Sequence, residues 1–386
     1  MILAKISRMW LGMGLILLTA GCAPATPTTK PAEPPVVSPT ATTPPTQSAS
    51  AFVTTVKLIL NQPLTDNSGG TQGLAFSPDG KTLAAIYKNG EIILWNVDAN
   101  QNIRSFTRGG ETGGLGMMPG FAFSPDGKSL VSKANGVSPV LWDVASGQSI
   151  EVETGLSYGN GMALSPDGRM LAYGKCAELD PQSHCSQYEI ILWDVTTRQP
   201  VGQPAIFQVG APAPLGLLFS PDGKTLAAMS SGTTGSGKIE LFDVVTRQPI
   251  VSPLESQAQF SSMAFSPDGK FMALGSISGV IYLWDVKSQQ VFSQLKGENG
   301  LVTGLTFSPN GKTLASRIFV PGADPKEKFV LWDMDTLQAI GQPLTGQAAT
   351  GSEVGLISTA FSPDSRLLAS GTDDGAIILW DLATTP

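Results

Sequence analysis

Seven times along this 386-residue chain a short mark of the form F-S-P-D-G-K recurs, and each copy is followed 18 to 28 residues later by Leu-Trp-Asp or a close variant. The serines of the mark are Ser77, Ser124, Ser165, Ser220, Ser266, Ser308 and Ser362. The closing aromatic residues are Trp95, Trp142, Trp193, Phe242, Trp284, Trp332 and Trp380. The mean spacing is about 47 residues, and a period in this range marks an array of equivalent structural units.

One unit, residues 304–344, shows what each copy builds. Gly304-Leu305-Thr306-Phe307 alternates small and large, the period of a strand. Ser308-Pro309-Asn310-Gly311 is a turn, with Pro presetting φ and Asn-Gly tolerating positive φ. Residues 313–316 and 329–332 read as the second and third strands, and the more polar 338–343 as a fourth at the rim. Across the seven copies the residue four before the serine is always small: Gly73, Gly120, Gly161, Gly216, Ser262, Gly304 and Ser358. The residue directly before it is always large and apolar: Phe76, Phe123, Leu164, Phe219, Phe265, Phe307 and Phe361. Sheets stacked around an axis need that asymmetry, because the knobs of one must enter the space over the small residues of the next. The expected fold is all-β: a seven-bladed propeller of four-stranded antiparallel blades. The aromatics then serve packing between blades, and the S-P-D-G aspartates a backbone duty.

After Trp380-Asp381 only five residues remain, too few for the last blade's fourth strand. A substitute lies upstream, in residues 53–64, where Asn61-Gln62-Pro63-Leu64-Thr65 matches Gly341-Gln342-Pro343-Leu344-Thr345 of blade six. The N-terminal strand is therefore expected to complete blade seven and remove an unpaired edge.

The combination of F-S-P-D-G-K with Leu-Trp-Asp resembles the WD-repeat family of seven-bladed propellers, over residues 51–386. The usual repeat of that family opens with Gly-His, and its His joins an Asp, a Ser or Thr and the Trp in a buried hydrogen-bond network. Here the one histidine is His184, in an insertion, so that network is expected to be missing and the likeness is to the looser WD-like repeats of bacteria. Six-bladed propellers of periplasmic translocation proteins also carry S-P-D-G turns, but generally without Leu-Trp-Asp.

Residues 1–21 have the parts of a secretion signal: Lys5 and Arg8, an apolar run over 9–18, then Leu18-Thr19-Ala20-Gly21 before Cys22. That ending is similar to a bacterial lipobox, which implies a lipid on Cys22; the alternative is an ordinary signal peptide or an uncleaved anchor. The apolar run is short for a membrane span. Residues 22–50 hold eight prolines among Thr, Ala and Ser, and read as an extended tether reaching about 85 Å at most. The expected location is the bacterial cell envelope, lipid-anchored and outside the cytoplasm, on the outer membrane if the host has one. With Cys22 lipidated, Cys176 and Cys185 remain, nine positions apart, and outside the cytoplasm a disulfide is expected. The rival is a metal site with His184 and Glu178 or Asp180.

The net charge is −7, becoming −9 once Lys5 and Arg8 are removed, and no basic run or basic-aromatic stripe is present. Nucleic acid is excluded as an expected partner, since phosphate binding rests on clustered Lys and Arg. Membrane contact should come through the lipid alone. A lone His leaves no Ser-His-Asp set and no His-based metal centre, no phosphate loop is found, and Asp373-Asp374 reads as a solvated turn. No cofactor is expected. The leading reading is a non-enzymatic protein-binding or scaffold module. Alternatives are a ligand-binding or hydrolytic propeller with a site at the axial channel mouth, and an assembly factor for envelope proteins. Length variation falls on the connections 107–119, 174–188, 232–238, 317–328 and 346–354, all on the face opposite the S-P-D-G turns. Met117, Met118, Tyr158, Tyr188, Phe207 and Phe319, with His184, are the partner-binding candidates there.

Overall fold

Each repeat folds as a four-stranded antiparallel sheet, the outer strand of blade three being split into two pieces, and the seven sheets follow one another in chain order. The computed structural model describes residues 55–60, 70–107, 120–133, 139–152, 161–179, 185–207, 216–231, 237–250, 254–256, 258–297, 299–323, 327–347, 353–354 and 356–382. Blade one comprises Thr71–Phe76, Thr82–Tyr87, Glu91–Asn96 and Gln101–Thr107. Blade two runs from Gly120–Phe123 to Ser149–Glu151, and blade three from Met162–Leu164 to Gln199–Pro200 and Ala205–Phe207. Blade four runs from Gly216–Phe219 to Leu254–Ser256, blade five from Phe260–Phe265 to Gln290–Lys296, and blade six from Leu301–Phe307 to Gln338–Leu344. Blade seven holds Leu356–Phe361, Leu367–Thr372 and Ile377–Asp381, and Thr55–Leu60 lies antiparallel on its outer edge, Thr55 opposite Asp381 and Leu60 opposite Ile377. The architecture is a seven-bladed propeller.

The Leu-Trp dipeptide explains how the blades hold each other. Successive side chains of a strand point to opposite faces. In every blade the aromatic residue packs back onto the preceding blade, while the leucine before it packs forward onto the next. Trp142 lies in the seam between blades one and two, and Leu141 in that between two and three. Trp380 lies between six and seven, and Leu379 between seven and one. The second strand obeys the same rule with smaller residues. Leu83 stands opposite Trp95 and faces back; Ala84 stands opposite Leu94 and faces forward. A bulky face thus meets a face that alanine keeps shallow. The buried apolar side chains form seven clusters, one for each seam around the ring. The innermost strands approach closely because of their small residues: a Cβ on Gly73 would stand 2.9 Å from Ile86 Cγ2 and 3.3 Å from Phe121 Cβ of blade two.

The S-P-D-G turns form a second ring. Ser77 Oγ donates to Asp79 Oδ1 at 2.6 Å and accepts the Thr82 N–H at 2.9 Å, and the same carboxylate accepts the Lys81 N–H at 3.1 Å. Gly80 needs its positive φ of 71°, and its α-carbon faces Pro363 of blade seven, 3.5 Å from where a Cβ would sit. Gly127 faces Pro78, and Gly168 faces Pro125, so the contact passes from blade to blade. Blade seven has Ser365 in place of glycine, at φ 62°; its Oγ accepts the Asn310 N–H of blade six at 3.0 Å. A hydrogen bond across the seam offsets the left-handed conformation at a non-glycine residue.

The buried network thought absent without histidine survives in part. Trp142, Trp332 and Trp380 donate their indole N–H to Ser132, Ser316 and Ser370 at 2.8, 2.9 and 2.8 Å. These serines sit eight residues after the turn serine. In blade four that position is Ala228, and the indole is replaced by Phe242, which has no N–H to satisfy. Ser370→Ala should lower stability by about 1–3 kcal/mol, as the Trp380 N–H loses a buried partner. In a urea-unfolding cycle the pair Ser370→Ala and Trp380→Phe should be non-additive, with favourable coupling above about 0.5 kcal/mol; strict additivity would deny the bond any role.

Two deletions separate closure from tether. Removing residues 51–64 should lower the melting temperature and promote aggregation through an exposed edge on Ile377–Asp381, whereas removing residues 24–48 should leave melting unchanged. Differential scanning calorimetry of the two proteins decides it, and equal effects count against the closing strand.

Candidate functional site

Antiparallel order puts the S-P-D-G turns and the turns after Leu-Trp-Asp on one face, and the connections between second and third strands and between blades on the other. The first face is repetitive. After the third strands of blades two to six the Asp carboxylate accepts backbone N–H groups of its own turn, as Asp194 does from Thr196 and Thr197 at 2.8 and 2.6 Å, and Asp333 from Asp335 and Thr336 at 3.0 and 2.7 Å; in blade one the Asn96 Oδ1 accepts the Ala99 N–H at 2.7 Å. Lys81, Lys128 and Lys224 are exposed on this face.

The turn aspartates are structural acids. Asp79, Asp126, Asp167, Asp222 and Asp364 are held below the ordinary carboxylate value, first by the serine hydroxyl two residues earlier. A depressed folded value contributes stability above the unfolded value, and that stability is lost as pH falls through the folded one. Stability should therefore be flat at neutral pH and decline below about pH 4. Blade six has Asn310 instead, which accepts the Ser308 hydroxyl at 2.7 Å and the Lys312 N–H at 3.0 Å. Replacing these five aspartates by Asn should keep the fold, lower stability at neutral pH and shrink the loss of stability between neutral pH and about pH 3, measured by urea unfolding followed by circular dichroism at each pH; an undiminished pH dependence would remove the carboxylates from the account.

The opposite face is irregular, and here the sequence candidates are placed differently from the loops expected. Residues 174–188 are largely strand: Met170–Leu179 and Cys185–Asp194 stay paired as far as Leu179 opposite Cys185. Tyr188 is on that extended hairpin, opposite Cys176 and Phe207, and half-buried against the seam of blades three and four. Phe207 is also on a strand. The second strand of blade six continues to Phe319, half-buried and opposite Leu301 and Glu327. Within 346–354 a short hairpin pairs Gly346–Gln347 with Glu353–Val354. The reason is common to all: alternating polar and apolar residues let the chain extend an existing ladder instead of leaving it. Met117, Met118, Tyr158, His184 and Cys22 lie outside the described residues. Cys176 is buried and disulfide-bonded. Among the described residues no group of three or more His, Cys, Asp or Glu is placed to hold a metal ion. Asp373 and Asp374 are both exposed, and Asp374 accepts the Thr372 hydroxyl and the Ala376 N–H within its own turn.

Two charged groups escaped sequence reading. Arg317, on the second strand of blade six, is half-buried; its Nε donates to Thr303 Oγ1 at 2.7 Å and its Nη2 to the Thr303 carbonyl at 3.4 Å. Burial lowers its pKa, and Glu327 acts in the opposite sense. Burial raises the Glu327 carboxyl, Arg317 lowers it and Asp373 raises it further. The second is Glu240, 2% exposed, paired with Lys238 at 2.5 Å in blade four. Both stand where the other blades put mainly small or apolar residues, so the signal was a break in an aligned column. The innermost strands of six blades also enclose an axial cavity of about 640 Å³, which Arg317 lines.

The WD domain, G-beta repeat family matches residues 251–285 and 345–381, which are repeats five and seven. This is a seven-bladed propeller, and two of its repeats match the WD40 model. Similar proteins include the periodic tryptophan protein 2 homolog of Neurospora crassa, 32% identical over 32% of this chain and 13% of that one. The protein LST8 homolog of Drosophila melanogaster is 24% identical over 37% and 44%, and the WD repeat-containing protein SL1-17 of Schistosoma mansoni 28% identical over 43% and 50%. The chain thus covers half or less of the length of these relatives.

Proposed function

We propose that this WD40 propeller is a non-enzymatic scaffold that docks a protein partner on its irregular face. The observation that carries the reading is the division of the two faces: seven near-identical turns on one, and connections of individual length and sequence on the other. Uniform turns serve the fold, and individuality is where binding specificity resides. The match to WD40 repeats supports an interaction role. The lipobox-like end at Cys22 and the Pro/Thr-rich residues 22–50 support a propeller tethered by lipid outside the cytoplasm of a bacterial cell, and the disulfide on Cys176 fits that setting with Cys185 as its mate.

The test is affinity capture from membranes with the intact chain. Met117→Ala, Tyr188→Ala and Phe319→Ala are compared with Lys81→Glu, Lys128→Glu and Lys224→Glu, each checked for unchanged melting. Partner recovery should fall for at least one of the first three and persist in the second three. Loss confined to the lysine variants would put the interface on the turn face. In the same cells Cys22→Ser should abolish incorporation of labelled fatty acid; continued labelling would refute the anchor.

A further inference from the structure

The axial cavity has two chemically different ends, and strand register is the cause. The residue directly before each turn serine is large and apolar, so Phe219, Phe265 and Phe307, with Pro267 of the turn, line the end near the S-P-D-G face. Toward the other end the lining is mixed: Thr303, Ser358 and Thr359 of blades six and seven bring polar groups beside Leu74, Phe121, Met263 and Leu305. Arg317 joins this end because Gly304 stands opposite it in register. A Cβ on Gly304 would lie 3.5 Å from Arg317 Cβ and 3.8 Å from its Nε, so the arginine side chain lies over a bare α-carbon on its way to Thr303 and the cavity. Thr359 Oγ1 is buried and has no hydrogen-bond partner among the described residues. No carboxylate is among the residues lining the cavity, and Glu327 and Asp373 stand outside its lining. A recess of about 640 Å³ is within the size range of small-molecule sites, which combine apolar walls with a few placed polar groups.

We propose that the axial cavity binds a small amphipathic carboxylate, its anionic group at Arg317 and Thr359 and its apolar body against the aromatic end. A cation facing a desolvated carboxylate gives a charge-assisted hydrogen bond, and the ring edges and proline provide apolar area for the remainder of the ligand. The site is separate from the docking face, so either reading can fail alone.

Isothermal titration of the full chain with 4-phenylbutyrate and with 4-phenylbutylamine, equal in body and opposite in charge, tests it. The carboxylate should bind saturably and at least about tenfold more tightly than the amine. Arg317→Gln should weaken the carboxylate by about tenfold and leave the amine no weaker. Because Arg317 is partly buried and bonded to Thr303, a second variant, Leu218→Trp, fills the cavity from blade four and should weaken the carboxylate while melting is retained. Equal affinity for both probes, no saturable binding of the carboxylate, or unchanged carboxylate binding in a folded Leu218→Trp protein would overturn the proposal.

Discussion

On the third strand of each blade, Leu and Trp turn their side chains to opposite neighbours, and the ring depends on that alternation. A single blade exposes a bulky face of Leu and Trp and a shallower face of Ala and Leu; neither is covered within the blade. Burial comes only when the next blade is added, at about 25 cal/mol per Å² of apolar surface removed from water. Each seam therefore stabilises two blades at once, and a ring without ends leaves no such face exposed. The seam between blades seven and one, made of Leu367, Ala369, Ile377 and Leu379 against Leu83, Trp95 and their neighbours, joins segments some three hundred residues apart and has the same composition as the others.

Two polar devices fix the strands of a blade against one another. One is the pair of Ser with Asp, or with Asn in blade six, in each turn, whose oxygen atoms satisfy backbone N–H groups of the turn. The other is the indole–serine bond within blades two, six and seven. Blade four dispenses with both indole and serine, in keeping with the rule that removing both partners of a buried bond is far less costly than removing one. Blade five departs from it: Leu274 takes the serine's position, and the buried Trp284 indole N–H has no hydrogen-bond partner among the described residues.

Departures from the repeat are then informative. A scaffold of equivalent units makes each exception visible, and the exceptions gather on one side: the extended hairpin ending at Leu179 and Cys185, the lengthened strands to Phe319, and the Arg317–Glu327–Asp373 group. Arg317 also shows how a glycine chosen for close blade packing can leave room for a long side chain. Gly304 belongs to the small-residue column that lets innermost strands approach, yet in blade six the space is used by a guanidinium directed at the axis.

Much of this could be read in advance. The seven marks, their spacing and the small-to-large alternation before each serine determined blade number, strand order and turn positions, since those follow from local chemistry repeated seven times: Pro and Gly at a turn, period two in a strand. Site chemistry was less accessible. Tyr188 and Phe319 read as exposed loop residues because length variation suggests a loop, and only the ladder across the hairpin shows them on strands. Arg317 read as one more loop residue, at the start of the connection 317–328. Its burial, its bond to Thr303 and its place on a cavity come from the closing of seven strands around an axis, a convergence of residues from six blades that no local pattern encodes.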